Sequence, residues 1–509
     1  MITRIKHLLN SGRLIAYLFI LSSLICASYS KAAEQPNQFL SLFPIENYPQ
    51  KLSQWLKPAD PAYNKHLLTP KQQKAHNAKF FHHYFGEASP WHSAYVQKVL
   101  KTPNLYDIYY PQPRKLYQVI TDTLDAYSNQ GKPDEKIGYG ANTRPYTEQW
   151  FNNLKNNLNL AQFRKPQRYD PSKRAIATDN LQGRNLPTEE VWFYNPQKVG
   201  EGYPFDMLQT SNIWTGTPLY ILGETADQAW VLVRSPRFVA WVKSTGIARV
   251  NEAFIRKWKA AARNNLVAIT QTQVPVIDTE HKIFRFSAYI GMVFPGFQDA
   301  KSSNMQLLIP VRNAQGQASI HHTRLSKKEA TLIPLAPTIR HFWQLMTHLI
   351  GRPYGWGGMY FYSDCASELR NLFVPFGIWI PIHSLNQVDP RQLLGTKVDL
   401  STSDIATRLD QLSQQGRPFM TIIHINGHVM LYLGTYPDPR NPSVKIPLTY
   451  QNLWALRPTA GFEPDRRSIV GQSLLFPLLK QYPEDSQFAS LAAKPAFTLF
   501  HLDQIESQR

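Results

Sequence analysis

Apolar residues along this chain follow two periods, and the switches between them mark out its parts. From Asp364 onward Ala366, Leu369, Leu372, Phe373 and Phe376 repeat at helical spacing until Gly377 stops them, and Ser363 or Asp364 is placed to cap that helix. Residues 418–434 read instead as two apolar, β-prone runs flanking Asn426-Gly427, a two-residue hairpin signal. Residues 444–450 read as a further strand that runs into Gln451 and Asn452. Short β-prone runs separated by Gly, Pro and Asp fill residues 200–242, with an entry strand near 174–178, and a second series of this kind runs from about 266 to 324. Residues 34–167 are rich in Asn, Gln and Lys and mostly helical in pattern, with Pro breaks. The pattern predicts an α+β chain of several domains. These are a leader at 1–32, a mostly helical domain at 33–170, two β-barrels at 171–250 and 251–332, a mixed domain at 333–480 and a tail at 481–509.

The leader has a basic start (Arg4, Lys6), an apolar run at 14–27 and small residues at Ser28, Ser30, Ala32 and Ala33. That is the layout of a secretory signal, and the run is shorter than the roughly 18–20 apolar residues a membrane span needs. The mature chain is expected to be exported, periplasmic or secreted, with no stable membrane insertion. With 43% hydrophobic and 12% aromatic residues the 509-residue chain is not a disordered protein. Its two cysteines exclude a disulfide scaffold, an iron–sulfur protein and a cysteine-built zinc site. The formal charge of +19 favours a polyanionic partner.

Export changes what the cysteines mean. Cys26 leaves with the leader, so Cys365 becomes the single thiol of the mature chain, either a buried structural residue or a nucleophile. The Gly/Pro/aromatic loop at 351–358 precedes it, and its place in the first turn of a helix lets the helix dipole pull its pKa from ~8.5 into the range of roughly 3.5–7.5. A thiol of this kind needs a base brought close by the fold. His428 opens the second strand of the hairpin, His424 competes from the first, and strand parity does not separate them. Gln451 or Asn452 could orient the imidazole.

Tyr354-Gly-Trp-Gly-Gly358, the Asp364-Cys365 helix and Gly427-His428-Val-Met-Leu-Tyr-Leu-Gly434 resemble the NlpC-type cell-wall cysteine peptidases. The resemblance implies a papain-like domain at 333–480 with Cys365 as nucleophile, His428 as general base and acid, and Gln451 as orienter in a slot where the family most often has His. Residues 200–206 (Gly-Glu-Gly-Tyr-Pro-Phe-Asp), together with 209–220 and 229–242, resemble the bacterial SH3-like barrel of multidomain members, and residues 251–332 would form a second barrel. What it implies about activity is hydrolysis of the γ-D-Glu–diamino acid bond in peptidoglycan stem peptides or muropeptides, with the first barrel restricting the cleft to a free N-terminal L-Ala. Asp364 would bind the terminal amine and Tyr354 would line the site. The barrel would add an acid, Glu201 or Asp206, and an aromatic. One departure bears on specificity: Ala366-Ser367 follows the nucleophile where the family commonly has Ser-Gly.

The remaining histidines read as surface or packing residues. His82-His83 and His321-His322 are adjacent pairs without an acidic partner at ligand spacing, and His383 reads as loop structure. No metal or cofactor is expected, and Gly-x-Ser-x-Gly, phosphate-loop, dinucleotide and His-Glu-x-x-His motifs do not occur. Nucleic acid is not an expected partner. Three function classes stand: a stem-peptide hydrolase, another thiol amidase or acyltransferase on the same fold, and a wall-binding protein without catalysis.

Overall fold

The computed structural model describes residues 40–101, 115–459 and 466–505, so the expected leader at 1–32 lies outside the described residues. Among the described residues no helix is long and apolar enough to cross a membrane. The α+β composition holds, with mixed helices and three larger sheets.

The helix Cys365–Phe373 forms because Asp364 caps it. Its Oδ1 accepts the Ser367 N–H at 2.8 Å, and the Ser367 hydroxyl accepts the Asp364 N–H at 2.9 Å. All nine residues are buried, and the chain leaves through a 3₁₀ turn to Gly377 at φ +71°. A Cβ on Gly377 would stand 2.6 Å from Asn77 Oδ1, so the stop requires glycine. This helix packs against strands His428–Asp438 and Asn441–Leu456 of a seven-stranded sheet. In order across it lie Leu40–Leu42, Arg467–Pro477, Asn441–Leu456, His428–Asp438, Thr421–Ile425, Thr498–His501 and Thr396–Asp399.

Two sequence expectations fail in this sheet. The stretch 481–509 is no tail, because Thr498–His501 lies between two other strands and Phe497, Leu499, Phe500 and Leu502 are fully buried. The described residues of 33–170 have no core of their own, because their apolar faces are shared among three cores. Leu40–Leu42 pairs in parallel with Arg467–Ile469, and Phe43, Tyr48, Leu52 and Trp55 join the core of the same sheet. Helix Pro70–Tyr84 sends Phe80 and Tyr84 into the core of the second barrel region. Helices Leu116–Tyr127 and Glu148–Asn157 bury Val119, Ile120, Leu124 and Leu154 on the first barrel.

The first barrel runs from Arg174–Ala177 to Ile247–Arg249 as a seven-stranded sheet. Alternation along its strands turns Leu219, Ile221, Val231, Val233 and Val242 toward one core. Tyr220, Leu222, Leu232 and Trp241 face the other way, toward the covering helices. Burial on both faces is why these strands read as continuous apolar runs. After helix Glu252–Asn264, a five-stranded sheet (266–332) and a hairpin (Val274–Ile277 with Phe284–Ala288) make the second β region. There His321, expected to lack an acidic partner, bonds the fully buried Asp278 at 2.7 Å, with His281 at 3.1 Å and Arg285 at 2.7 Å on the same oxygen. The partner comes from 43 residues away, beyond the reach of any spacing rule.

Candidate active site

Strand register separates the two hairpin histidines. The turn is Asn426-Gly427 with Gly427 at φ +76°, and Ile425 pairs with His428 while His424 pairs with Val429. The two imidazoles therefore leave the sheet on opposite faces. His424 contacts the Ala496 carbonyl at 3.4 Å, whereas the His428 Nε2–H donates to Gln451 Oε1 at 2.7 Å. Gln451 is itself fixed: its Nε2 donates to Thr449 Oγ1 at 2.8 Å, and that hydroxyl donates to the Phe476 carbonyl at 2.7 Å. Every donor in this row points the same way. Gln451 must present oxygen to the imidazole, so the proton sits on Nε2 and the lone pair on Nδ1. Asn452, the competing orienter, instead donates to the Ser363 carbonyl at 2.7 Å and holds the loop before Cys365.

Cys365 is buried, and its sulfur faces the amides of Val429, Ala366 and Cys365 itself. These amides favour a thiolate, as the helix N-terminus was expected to do. Burial outweighs them and, with the Asp364 carboxylate, pushes the thiol up to about 12. Burial likewise pushes His428 down to about 4, opposed by its bond to Gln451. Burial thus raises the Cys365 thiol, where the helix N-terminus alone was expected to lower it. Glu368, three residues on, accepts from the hydroxyls of Tyr450 and Ser473 and so pins the cysteine helix to the strand carrying Gln451.

Above the thiol lies a cavity of about 500 Å³, within the range of small-ligand sites. Tyr354, Asp364 and Cys365 line it, together with Tyr127 from helix Leu116–Tyr127 and Trp192 and Gln209 from the first barrel. Tyr354 is pushed well above the usual tyrosine range by burial and by the nearby Cys365 and Asp364. Asp364 has Oδ1 committed to Ser367, while Oδ2 accepts only the Gly357 N–H at 3.1 Å. The barrel is clamped over this wall. Gln209 Nε2 donates to the Gly357 carbonyl at 3.0 Å, and Phe205 sits 5.3 Å from Trp356 and 5.9 Å from Trp454 between ring centres. Gly358 has φ +81°, and a Cβ there would come within 2.4 Å of Asn212, so only glycine lets the barrel approach this closely.

The two barrel acids are not on the cavity wall. Asp206 is buried and pairs with Arg184 at 2.5 Å while accepting the N–H groups of Trp192 and Leu208. Its carboxylate is taken up within the barrel and does not line the cavity. Glu201 is half-buried, with one carboxylate oxygen covered and outside the cavity lining. The barrel aromatics on the cavity wall are Trp192 and Tyr194, while Phe205 packs behind it on Trp356 and Trp454. Sequence reasoning missed Tyr127, Asn185, Thr210 and His383 as lining residues, because three separate segments meet here and no spacing links them.

Residues 14–163 match the family model of the NLPC_P60 stabilising N-terminal domain, and residues 192–243 match an SH3 domain of the SH3b1 type. The chain superposes on an NlpC/P60 endopeptidase from Photobacterium damselae subsp. piscicida with a TM-score of 0.75 and 28% identity, over 92% of this chain and 100% of that one. In these two segments and in its fold the chain is similar to the NlpC/P60 endopeptidases. The similarity supports a peptidase that acts on the cell wall. An NlpC/P60 family protein from Bacillus cereus ATCC 10987 overlaps at a TM-score of 0.37 and 14% identity, over 55% of this chain and 81% of that one. No curated protein sequence matches the chain.

Proposed function

We propose that this protein is an exported cysteine endopeptidase that cuts the γ-D-Glu–diamino acid bond of peptidoglycan stem peptides carrying a free N-terminal L-Ala. The observation that carries the reading is Cys365 on the wall of a cavity that the barrel also lines, with the amide of Val429, the residue after His428, at its sulfur and His428 oriented by the row through Gln451 to Thr449. Sγ attacks the γ-carbonyl carbon as its proton passes to the Nδ1 lone pair of His428. Attack and proton transfer must be concerted, because burial favours the neutral pair. The developing oxyanion meets the first-turn N–H groups of the cysteine helix, which have no intrahelical acceptors. His428 then returns the proton to the leaving diamino acid nitrogen and the C–N bond breaks, leaving a thioester. Water attacks the thioester, gives a proton to His428, and the γ-carboxylate departs as the thiol is restored.

The free amine is read by Asp364, whose Oδ2 faces the cavity with one acceptor position in use. The barrel and helix Leu116–Tyr127 line the cavity beyond it, and in this reading they keep a glycan chain from that side. The test is mass spectrometry of L-Ala-γ-D-Glu-diaminopimelate, its N-acetyl form and an intact muropeptide after incubation with enzyme. Cleavage of the free peptide with a loss of roughly 10²-fold on acetylation is expected, since acetylation leaves the carboxylate without its partner. Equal rates on all three substrates would overturn the free-amine reading, and no cleavage of any would overturn the bond assignment.

A further inference from the structure

Where the catalytic helix, the first barrel, the second β region and helix Pro70–Tyr84 meet, two arginines face each other without an acid between them. Arg370 belongs to the cysteine helix and is 3% exposed, and Arg237 enters from the barrel turn before Val239–Lys243. Both line a small cavity closed by Tyr84, Asn212, Trp214 and Gly291, and no Asp or Glu lines it. The space leaves about 20 Å³ for the centre of a water-sized sphere, room for one water or one monatomic ion.

The hydrogen bonding around this cavity is incomplete. Arg370 Nη1 donates to Ser211 at 3.0 Å, and Arg237 uses Nη1 on the Tyr84 hydroxyl at 2.8 Å and Nε on the Ile380 carbonyl at 3.3 Å. The Nη2 group of each arginine is buried without an acceptor. Among the described residues neither guanidinium makes an ion pair. Burial and the neighbouring Arg237 push Arg370 down to about 10, as an uncompensated charge requires. A neutral water could accept from both Nη2 groups but would leave the buried charge of Arg370 unbalanced beside the half-buried Arg237, which is expensive in a low-dielectric interior.

We propose that a single halide ion, chloride in a cell, occupies this cavity, bound by the Nη2 groups of Arg237 and Arg370, and locks the barrel onto the catalytic helix. A route for it is present. Arg237 and Pro236 also wall a larger cavity of about 810 Å³ that displays Lys79, His82, His83 and Arg391 against a single acid, Glu87. The positive field of that antechamber draws anions toward Arg237. Asn212 Oδ1 also faces the small cavity without a donor. A halide is accommodated when this side-chain amide turns its N–H₂ inward; a water would use the oxygen as it stands. The two occupants therefore predict different amide orientations.

The experiment uses the purified full chain. Its thermal midpoint is measured in sodium gluconate and in sodium chloride at equal ionic strength, and crystals grown in sodium bromide are examined for anomalous scattering. The expected result is a rise of several degrees that saturates with chloride, and an anomalous peak between Arg237 and Arg370. Arg370→Met, which removes one charge and one donor, should abolish the chloride response. A midpoint indifferent to chloride together with no anomalous peak overturns the proposal and leaves a water. A chloride response that survives in Arg370→Met also overturns it, because the ion then acts elsewhere. If Arg370→Met does not fold, the anomalous map of the parent protein decides.

Discussion

Thr449 touches neither thiol nor imidazole, yet it determines which atom of Gln451 meets His428. Thr449→Val keeps the shape and deletes the hydroxyl that accepts from Gln451 Nε2 and donates to the Phe476 carbonyl. The Gln451 amide then has no reason to keep its oxygen toward the imidazole. Turned over, it presents N–H₂ to Nε2, which must become the acceptor, and the ring proton moves to Nδ1 where the base is needed. The orphaned buried groups and the lost orientation are each worth about 1–3 kcal/mol. At about 1.4 kcal/mol per decade this lowers kcat roughly 5- to 150-fold. KM should change little, because Thr449 and Gln451 do not line the substrate cavity. The assay is kcat and KM on a stem tripeptide beside a thermal melt. Thr449→Ser, which retains the hydroxyl, should recover most of the rate. A Thr449→Val enzyme within twofold of the parent would refute the reasoning, as would equal losses in the Val and Ser variants.

Further outcomes follow from the same structure. Cys365→Ala should abolish cleavage and leave the melting point near that of the parent, measured on the same peptide. His428→Ala should match that loss, whereas His424→Ala should retain activity because its ring leaves the opposite face of the sheet. Asp206→Asn should cost about 3–5 kcal/mol of stability by stranding Arg184, read by denaturant unfolding; lost activity at unchanged stability would instead return Asp206 to the substrate. His76 and His428 are both held neutral by burial, at about 4 against an unfolded value of 6.5. Between pH 6.5 and 4 the unfolded chain binds protons that the native chain does not, so stability falls as pH falls. Each histidine adds a slope of up to about 1.4 kcal/mol per pH unit. Melting points that stay level from pH 7 to pH 5 would contradict this.

Local chemistry made much of this protein legible in its sequence. Asp364 and Ser367 form a capping box within one turn, Gly377 ends the helix through its own backbone, and Asn426-Gly427 makes a two-residue turn; each needs only near neighbours. Short β-prone runs separated by Gly, Pro and Asp likewise marked the barrel strands before any packing was known. Tertiary structure decided what depends on long-range pairing. Strand register turned His428 toward Gln451 and His424 away, and the row through Thr449 to Phe476 fixed the tautomer. Burial reversed the direction of the Cys365 shift expected from its helix position, because desolvation depends on what packs around a group and not on the group's neighbours in the chain. Asp206 read as a candidate substrate contact but pairs with Arg184, and residues 33–170 read as one domain whereas three separate cores divide its described apolar residues. A sequence records which faces are apolar; only the folded chain determines which surface covers each face, and that covering sets the charge state and reach of the groups beneath.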